Sequence, residues 1–286
     1  NRWGSASGLW LEAEGIGLAI LLPGVPLEMR NLMAHEVVPR LALRGKGGVI
    51  RSRTVRTSGV AEAALAEQLG EVERDIAPAT LAYLPQVDGV DLRLTVWNVS
   101  DTEAETLLER AVRRVRSHAG AAVYGEDDAD LAAVVLATAR RRGLRISLAE
   151  SCTGGLVGAR LTDIPGSSDV VEGGAVCYSY ASKTRLLGVP ADLVVAHGAV
   201  SEEVVRRMAA GALEHLGGDL SVAITGIAGP GGATPEKPVG TVWFATAMGS
   251  DVRATRVLFF GTRVEVRARA AQAALRLLLQ RLEEGE

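Results

Sequence analysis

Residues 148–155 read Leu-Ala-Glu-Ser-Cys-Thr-Gly-Gly and set two nucleophile types, Ser151 and Cys152, side by side. A serine in a strand-to-helix turn holds its hydroxyl beside the free amides of the helix's first turn. Those donors and the helix dipole can stabilise an oxyanion or bind an anion. Gly154 and Gly155 let a ligand approach the backbone closely. The same octapeptide also suits a helix beginning near Thr153 that Ser151 or Thr153 simply caps. The nucleophile-elbow pattern G-x-S-x-G is absent, since Glu150 and Cys152 flank the serine.

A nucleophilic serine needs a base. None of the four histidines stands in a glycine-rich or strand-end context, and only His197, before Gly198, reads as able to face a site. A lysine kept neutral by burial is the alternative base. Lysine is scarce here: Lys46, Lys183 and Lys237 are the three among 31 basic residues. Arginine cannot act as a base near neutrality, so a retained lysine invites a reason. Lys183 follows the strand-like run that ends "VCYSY", and Tyr178, five residues earlier, can relay or orient a proton. An ordinary surface lysine at a helix start fits the same letters.

Two further stretches belong with these. "AITGIAGPGG" (223–232) ends a strand in a glycine-rich turn, with Thr225 at the carboxyl end where α/β proteins place ligands. "GATPEKPVG" after it reads as a mobile loop or lid; a plain hairpin connection is the other reading. In "FFGTRVEVR", Arg263 stands in the first turn of a helix and Arg267 one turn later on the same face. A cation there suits a bound anion, or an exposed ion pair with Glu265. No Walker, HExxH or CxxC pattern occurs, and "EDDAD" at 126–130 is adequately read as an acidic helix start.

The elements that position these residues fall into three segments. Residues 1–47 give a strand (15–22), the turn "PGVP" and a helix (27–43), with "RGKGG" at 44–48 as a linker. One strand and one helix cannot bury two faces of a sheet, so the segment reads as the tail of a larger domain whose start is missing. Residues 48–123 read as a small α+β domain: a strand, a helix (60–69), a hairpin around Asp88-Gly89 and a helix (102–118). The arginines at 110, 113, 114 and 116 are a solvated face or, less favoured, a nucleic-acid stripe.

From 124 to 286 strands and helices alternate, as in a sheet covered on both faces. Ser201 caps one helix, and Thr262 with Glu265 forms a capping box for the last. The chain is 48% hydrophobic and 23% charged with net charge −3, so no broad field attracts nucleic acid. No run is long enough to span a membrane, and two cysteines without a signal-like start imply free thiols in the cytoplasm.

Together the motifs "AESCTGG", "GSSDVVEGGAVCYSYASKTRLLGV", "HGAVSEEVVRRMA", "ITGIAGPGG", "KPVGTVWFA" and "FGTRVEVR" resemble, in order, the carboxy-terminal domain of the CinA family. That is the nicotinamide mononucleotide (NMN) deamidase domain. Residues 48–123 are similar to the family's KH-like domain, and "LPGVPLEM" resembles the end of its molybdopterin-binding-like domain. The resemblance implies a three-layer α/β/α domain, hydrolysis of NMN to nicotinic acid mononucleotide and ammonia, and a homodimer needing no cofactor.

By the family's pattern Ser151 is the nucleophile, Lys183 its base and Tyr178 a third member. Amides near Thr153, Gly154 and Gly155 hold the oxyanion, and Thr225, Gly226, Arg263 and Arg267 bind substrate. Family members usually carry Asn where this chain has Tyr180. That departure motivates an alternative, a nucleotide-binding relative without deamidase activity.

Overall fold

The computed structural model describes residues 1–15, 17–44, 48–87 and 89–284. In the first part of the chain, β1 (Leu9–Ala13) and β2 (Gly17–Leu21) pair antiparallel, Leu9 opposite Leu21. Pro26, whose fixed φ suits a first helical position, opens α1 (Pro26–Leu32). A π-helical turn at Met33–Val37 joins it to α2 (Val38–Arg44). The expected strand and helix are thus present, and β1 was not foreseen. The linker expected at 44–48 lies largely outside the described residues.

A four-stranded sheet follows, in the order β4-β5-β3-β6. Its strands are β3 (Val49–Thr57), β4 (Thr80–Pro85), β5 (Val90–Val99) and β6 (Val123–Glu126). β4 and β5 form the antiparallel hairpin expected from the sequence, though Asp88 at its tip lies outside the described residues. Leu92, Leu94 and Val96 alternate inward from β5. Leu65 and Leu69 of α3 (Glu62–Leu69), Val72 of α4 (Val72–Asp75) and Leu108, Val112 and Val115 of α5 (Asp101–Ala119) are buried as well.

The remaining chain builds a five-stranded sheet in the order β11-β10-β9-β7-β8. β7 (Ile146–Glu150) runs parallel to β8 (Val171–Val176) on one side and to β9 (Leu220–Gly226) on the other. β10 (Thr241–Met248) and β11 (Asp251–Leu258) complete the sheet antiparallel. Successive strand residues face opposite sides, which divides the core in two. Ile146, Leu148, Val222, Ile224 and Phe244 pack against α6 (Leu131–Arg142), α7 (Leu156–Thr162) and α11 (Arg263–Glu283).

On the other face stand Ala149, Ala223, Ala245 and Ala247, under α8 (Tyr180–Leu187), α9 (Ala191–His197) and α10 (Glu202–Leu216). Small residues there bring those helices close; a Cβ on Gly211 of α10 would overlap the Leu187 carbonyl of α8. This is the three-layer α/β/α arrangement expected. Because the connection after β7 goes to one neighbour and the next returns on the other side, the carboxyl end of β7 is a switch point of the sheet.

Candidate active site

The carboxyl ends of β7, β8 and β9 lie side by side, bringing Ser151, Cys177 and Thr225 to one edge. Ser151 directly follows β7, and its amide donates to the Ile224 carbonyl at 3.0 Å, extending the parallel ladder by one residue. The strand alternation carries past Glu150. Cys152 packs in the core on the α6/α7/α11 face, whereas Ser151 meets a side chain from α8 on the opposite face. That alternation separates the two neighbouring nucleophiles.

The partner from α8 is Lys183. Ser179 caps α8 and forms a capping box with Ser182, which fixes the first turn and aims Lys183 inward. Lys183 is 1% exposed; its Nζ lies 3.0 Å from Ser151 Oγ and donates to the Cys177 carbonyl at 2.6 Å. Desolvation outweighs the opposing pull of the Cys177 and Cys152 thiols and lowers the Lys183 pKa below the ordinary lysine value. Burial also pushes the Cys152 thiol up to about 12, leaving it without thiolate character near neutrality.

The turn between Ser151 and α7 differs from the expected helix start near Thr153. Gly154 (φ +62°) and Gly155 (φ +95°) take left-handed conformations, so α7 begins only at Leu156. Neither Ser151 nor Thr153 caps it. The Thr153 hydroxyl is buried without a partner, and the helix start is closed instead by the carboxylate of Glu150. Glu150 takes the Gly155 amide, and the Ser151 carbonyl takes the Gly154 amide at 3.0 Å. The amides of Cys152 and Thr153 lean on the Cys152 sulfur.

The other expected residues take various places. Tyr178 makes no hydrogen bond to Ser151 or Lys183; its exposed hydroxyl accepts from Arg263 Nη2 at 2.7 Å. Arg263 also donates to the Gly229 carbonyl at 2.8 Å, joining the glycine-rich loop to the start of α11. Arg267 donates to the carbonyls of Cys152 and Thr153. The buried Thr225 hydroxyl donates to the Ala199 carbonyl at 2.8 Å, and Gly226 ends β9 against Val242 of β10. Tyr180 opens α8 with its ring exposed. His197 lies 3.3 Å from Glu203, and Lys237 donates to the His197 carbonyl at 2.9 Å, tying the 230–238 loop to the end of α9.

Glu150 is the residue that the sequence reading passed over. Its signal was an acidic residue ending an otherwise buried strand. Among the described residues no group of three or more His, Cys, Asp and Glu is placed to hold a metal ion, and no helix is long and apolar enough to cross a membrane. The arginines of α5 are engaged locally: Arg114 with Asp75, Arg116 with Glu126, Arg110 with the Ala77 carbonyl and Arg113 with Glu109.

Comparison with known proteins agrees with this architecture. A "CinA-like protein" of Gemmatimonas aurantiaca is 52% identical over 96% of the chain, which spans 65% of that relative's length. A "Putative competence-damage inducible protein" of Symbiobacterium thermophilum is 42% identical over 97% of the chain, which spans 68% of it. The crystal structure of the competence/damage inducible protein CihA from Agrobacterium tumefaciens superposes with a TM-score of 0.52 at 41% identity. That match covers 54% of this chain and 93% of that one. None of these names states a reaction. Residues 52–125 match the damage-inducible protein CinA KH domain and residues 128–282 the CinA C-terminal domain, so the chain belongs to the CinA family.

Proposed function

We propose that the site is a serine amidohydrolase site that converts NMN to nicotinic acid mononucleotide and ammonia. The observation that carries this reading is the 3.0 Å contact between Ser151 Oγ and a buried, unpaired-by-charge Lys183 amine. A neutral amine at that distance accepts the serine proton as Oγ attacks the carboxamide carbon. The oxygen of the tetrahedral intermediate becomes an anion that needs hydrogen-bond donors beside Ser151.

The ammonium of Lys183 then gives its proton to the departing nitrogen, ammonia leaves, and Ser151 carries the nicotinoyl ester. A water attacks that ester, Lys183 takes the water's proton, and collapse returns a proton to Ser151 Oγ with release of the acid. Every proton passes through one amine. The Cys177 carbonyl holds that amine in place throughout, at 2.6 Å.

The reading of a nucleotide binder without turnover draws on Tyr180. Its exposed ring leaves the Ser151–Lys183 contact intact, which favours the enzyme. Ammonia release from NMN by the purified chain, with nicotinamide and glutamine as control amides, tests the proposal. Binding of NMN without any product overturns it.

A further inference from the structure

A cavity of about 540 Å³ lies between the β3–α3 connection and β4–β5 hairpin on one side and β11 and α11 on the other. Ser151, Lys183, Tyr178 and Arg263 take no part in its lining. That volume suits a small ligand. The walls are mostly apolar, with Val60, Val87 and Val90 facing Val257, Phe259 and Ala273.

Set into these walls are donors that the fold leaves unused. Ser58 is 2% exposed, and its hydroxyl has no partner among the described residues. Gln272 is 3% exposed; Arg160 occupies its Oε1, and its Nε2 has no partner among the described residues. Both residues line the cavity, and neither atom is sealed off by protein. Arg269 donates Nε to the Val87 carbonyl at 3.0 Å and Nη1 to the Phe260 carbonyl. Glu265, the carboxylate that feels its charge, is bound to Thr262.

The field around these donors is positive. α3 begins at the cavity with Ala61 in the cap position and no side chain on its first amides, so its dipole adds positive charge there. Glu62, in the same lining, stays exposed to water. Arg276, one turn beyond Gln272 on α11, rests its stem beside Gly59 of the wall, and its Nη1 is buried without a partner.

Unused donors in a positive field between apolar walls suit a ligand with an apolar body and one negative charge. A phosphate dianion would lose more hydration than so few donors return. A guanidinium and an amide match the two oxygens of a carboxylate. Phe260, 76% exposed, adds a ring to the lining on which another ring can pack. We infer that this cavity is a ligand site separate from the Ser151 centre and that it takes a small aromatic carboxylate. The ring sits among the valines and phenylalanines, and the carboxylate meets Ser58, Gln272 and Arg269.

Calorimetry on the full chain tests this, with benzoate, benzamide, cyclohexanecarboxylate and inorganic phosphate titrated in turn. Benzoate is expected to bind once per chain, and benzamide, the same ring without the charge, at least about tenfold more weakly. Ser58→Ala is expected to weaken benzoate by about threefold to tenfold and Arg269→Met by about tenfold to a hundredfold. Ala273→Leu fills the cavity and abolishes binding. Ser151→Ala and Lys183→Met leave the affinity within about twofold, as for distant sites.

No binding of benzoate at millimolar concentration overturns the site, as does wild-type affinity in both Ala273→Leu and Ser58→Ala. Loss of binding in Lys183→Met with none in Ala273→Leu places the acid beside Ser151 and refutes a second site. Equal affinity for cyclohexanecarboxylate overturns the aromatic preference, and tighter binding of phosphate overturns the carboxylate. Should Ala273→Leu fail to fold, Ser58→Ala, which removes a single oxygen, decides the matter.

Discussion

Lys183 Nζ and Ser151 Oγ lie 3.0 Å apart although 32 residues separate them in the chain. Removing either atom removes the proposed chemistry. Ser151→Ala and Lys183→Met are each expected to lower kcat on NMN by about 10⁴-fold or more, with a folded chain by circular dichroism. Cys152→Ala, one residue away but on the other face of the sheet, is expected to stay within about tenfold of wild type, as for a core change outside the reacting group. Wild-type turnover in either of the first two variants refutes the dyad.

The burial of Lys183 also sets a pH dependence. Reaction needs the neutral amine, so kcat/KM rises with pH to a plateau whose inflection lies below the ordinary lysine value of 10.5. Stability moves the same way. Between the folded and unfolded pKa values the unfolded chain holds a proton on Lys183 that the folded chain has lost, so stability increases with pH across that window. Below it the full burden of burying the amine remains. Lys183→Met is therefore expected to melt about 2–4 °C higher at neutral pH, a gain of about 1 kcal/mol, and to lose this part of the pH dependence. Calorimetry across the window checks it; a lower melting point for Lys183→Met contradicts the argument.

Tyr178 separates two roles. Its hydroxyl meets Arg263 and makes no hydrogen bond to Ser151 or Lys183. Tyr178→Phe is accordingly expected to cost about tenfold or less in kcat/KM, far less than loss of the dyad, and to act mainly on KM. Arg263→Met, which frees the same hydroxyl and the Gly229 carbonyl, is expected to resemble it. A Tyr178→Phe defect as large as that of Lys183→Met would instead return the phenol to the proton path.

Gly211 governs how deeply α8 sits. Its missing side chain lets α10 touch the Leu187 carbonyl, one turn after Lys183. Gly211→Ala is expected to destabilise the chain by about 1–3 kcal/mol, as overpacking does. It should also weaken the Ser151–Lys183 contact, so activity falls at temperatures where calorimetry still shows a folded chain. Full activity up to the melting transition would show that α8 accommodates the methyl without moving Lys183.

Much of this was legible in residue types. A serine in a strand-to-helix turn and a scarce lysine after the next strand point to each other. The caps at Ser201 and at Thr262 with Glu265 form as the sequence suggests. What stayed hidden has one physical origin: the deciding partners are main-chain atoms. Glu150 binds amides, Arg267 and Thr225 bind carbonyls, and Lys183 leans on the carbonyl of Cys177. Backbone groups are the same at every position, so no letter announces them. Short strands such as β1 and β6 escaped because four or five residues give too little alternation to read. Tyr178, read as a third member of the site, has its hydroxyl on Arg263, another partner that its place in the sequence does not announce.

The bonds of Arg267 to the Cys152 and Thr153 carbonyls have a consequence for synthesis. Arg267 lies 115 residues after Cys152. A nascent chain that has emerged through α8 already carries Ser151, Lys183 and Glu150, yet the Cys152 and Thr153 carbonyls lack the guanidinium that binds them. Domains gain structure as they leave the ribosome, amino-terminal parts first. Here the turn after Ser151 gains its last side-chain bonds only when α11 arrives, so a half-made chain carries the proposed nucleophile in an unfinished turn.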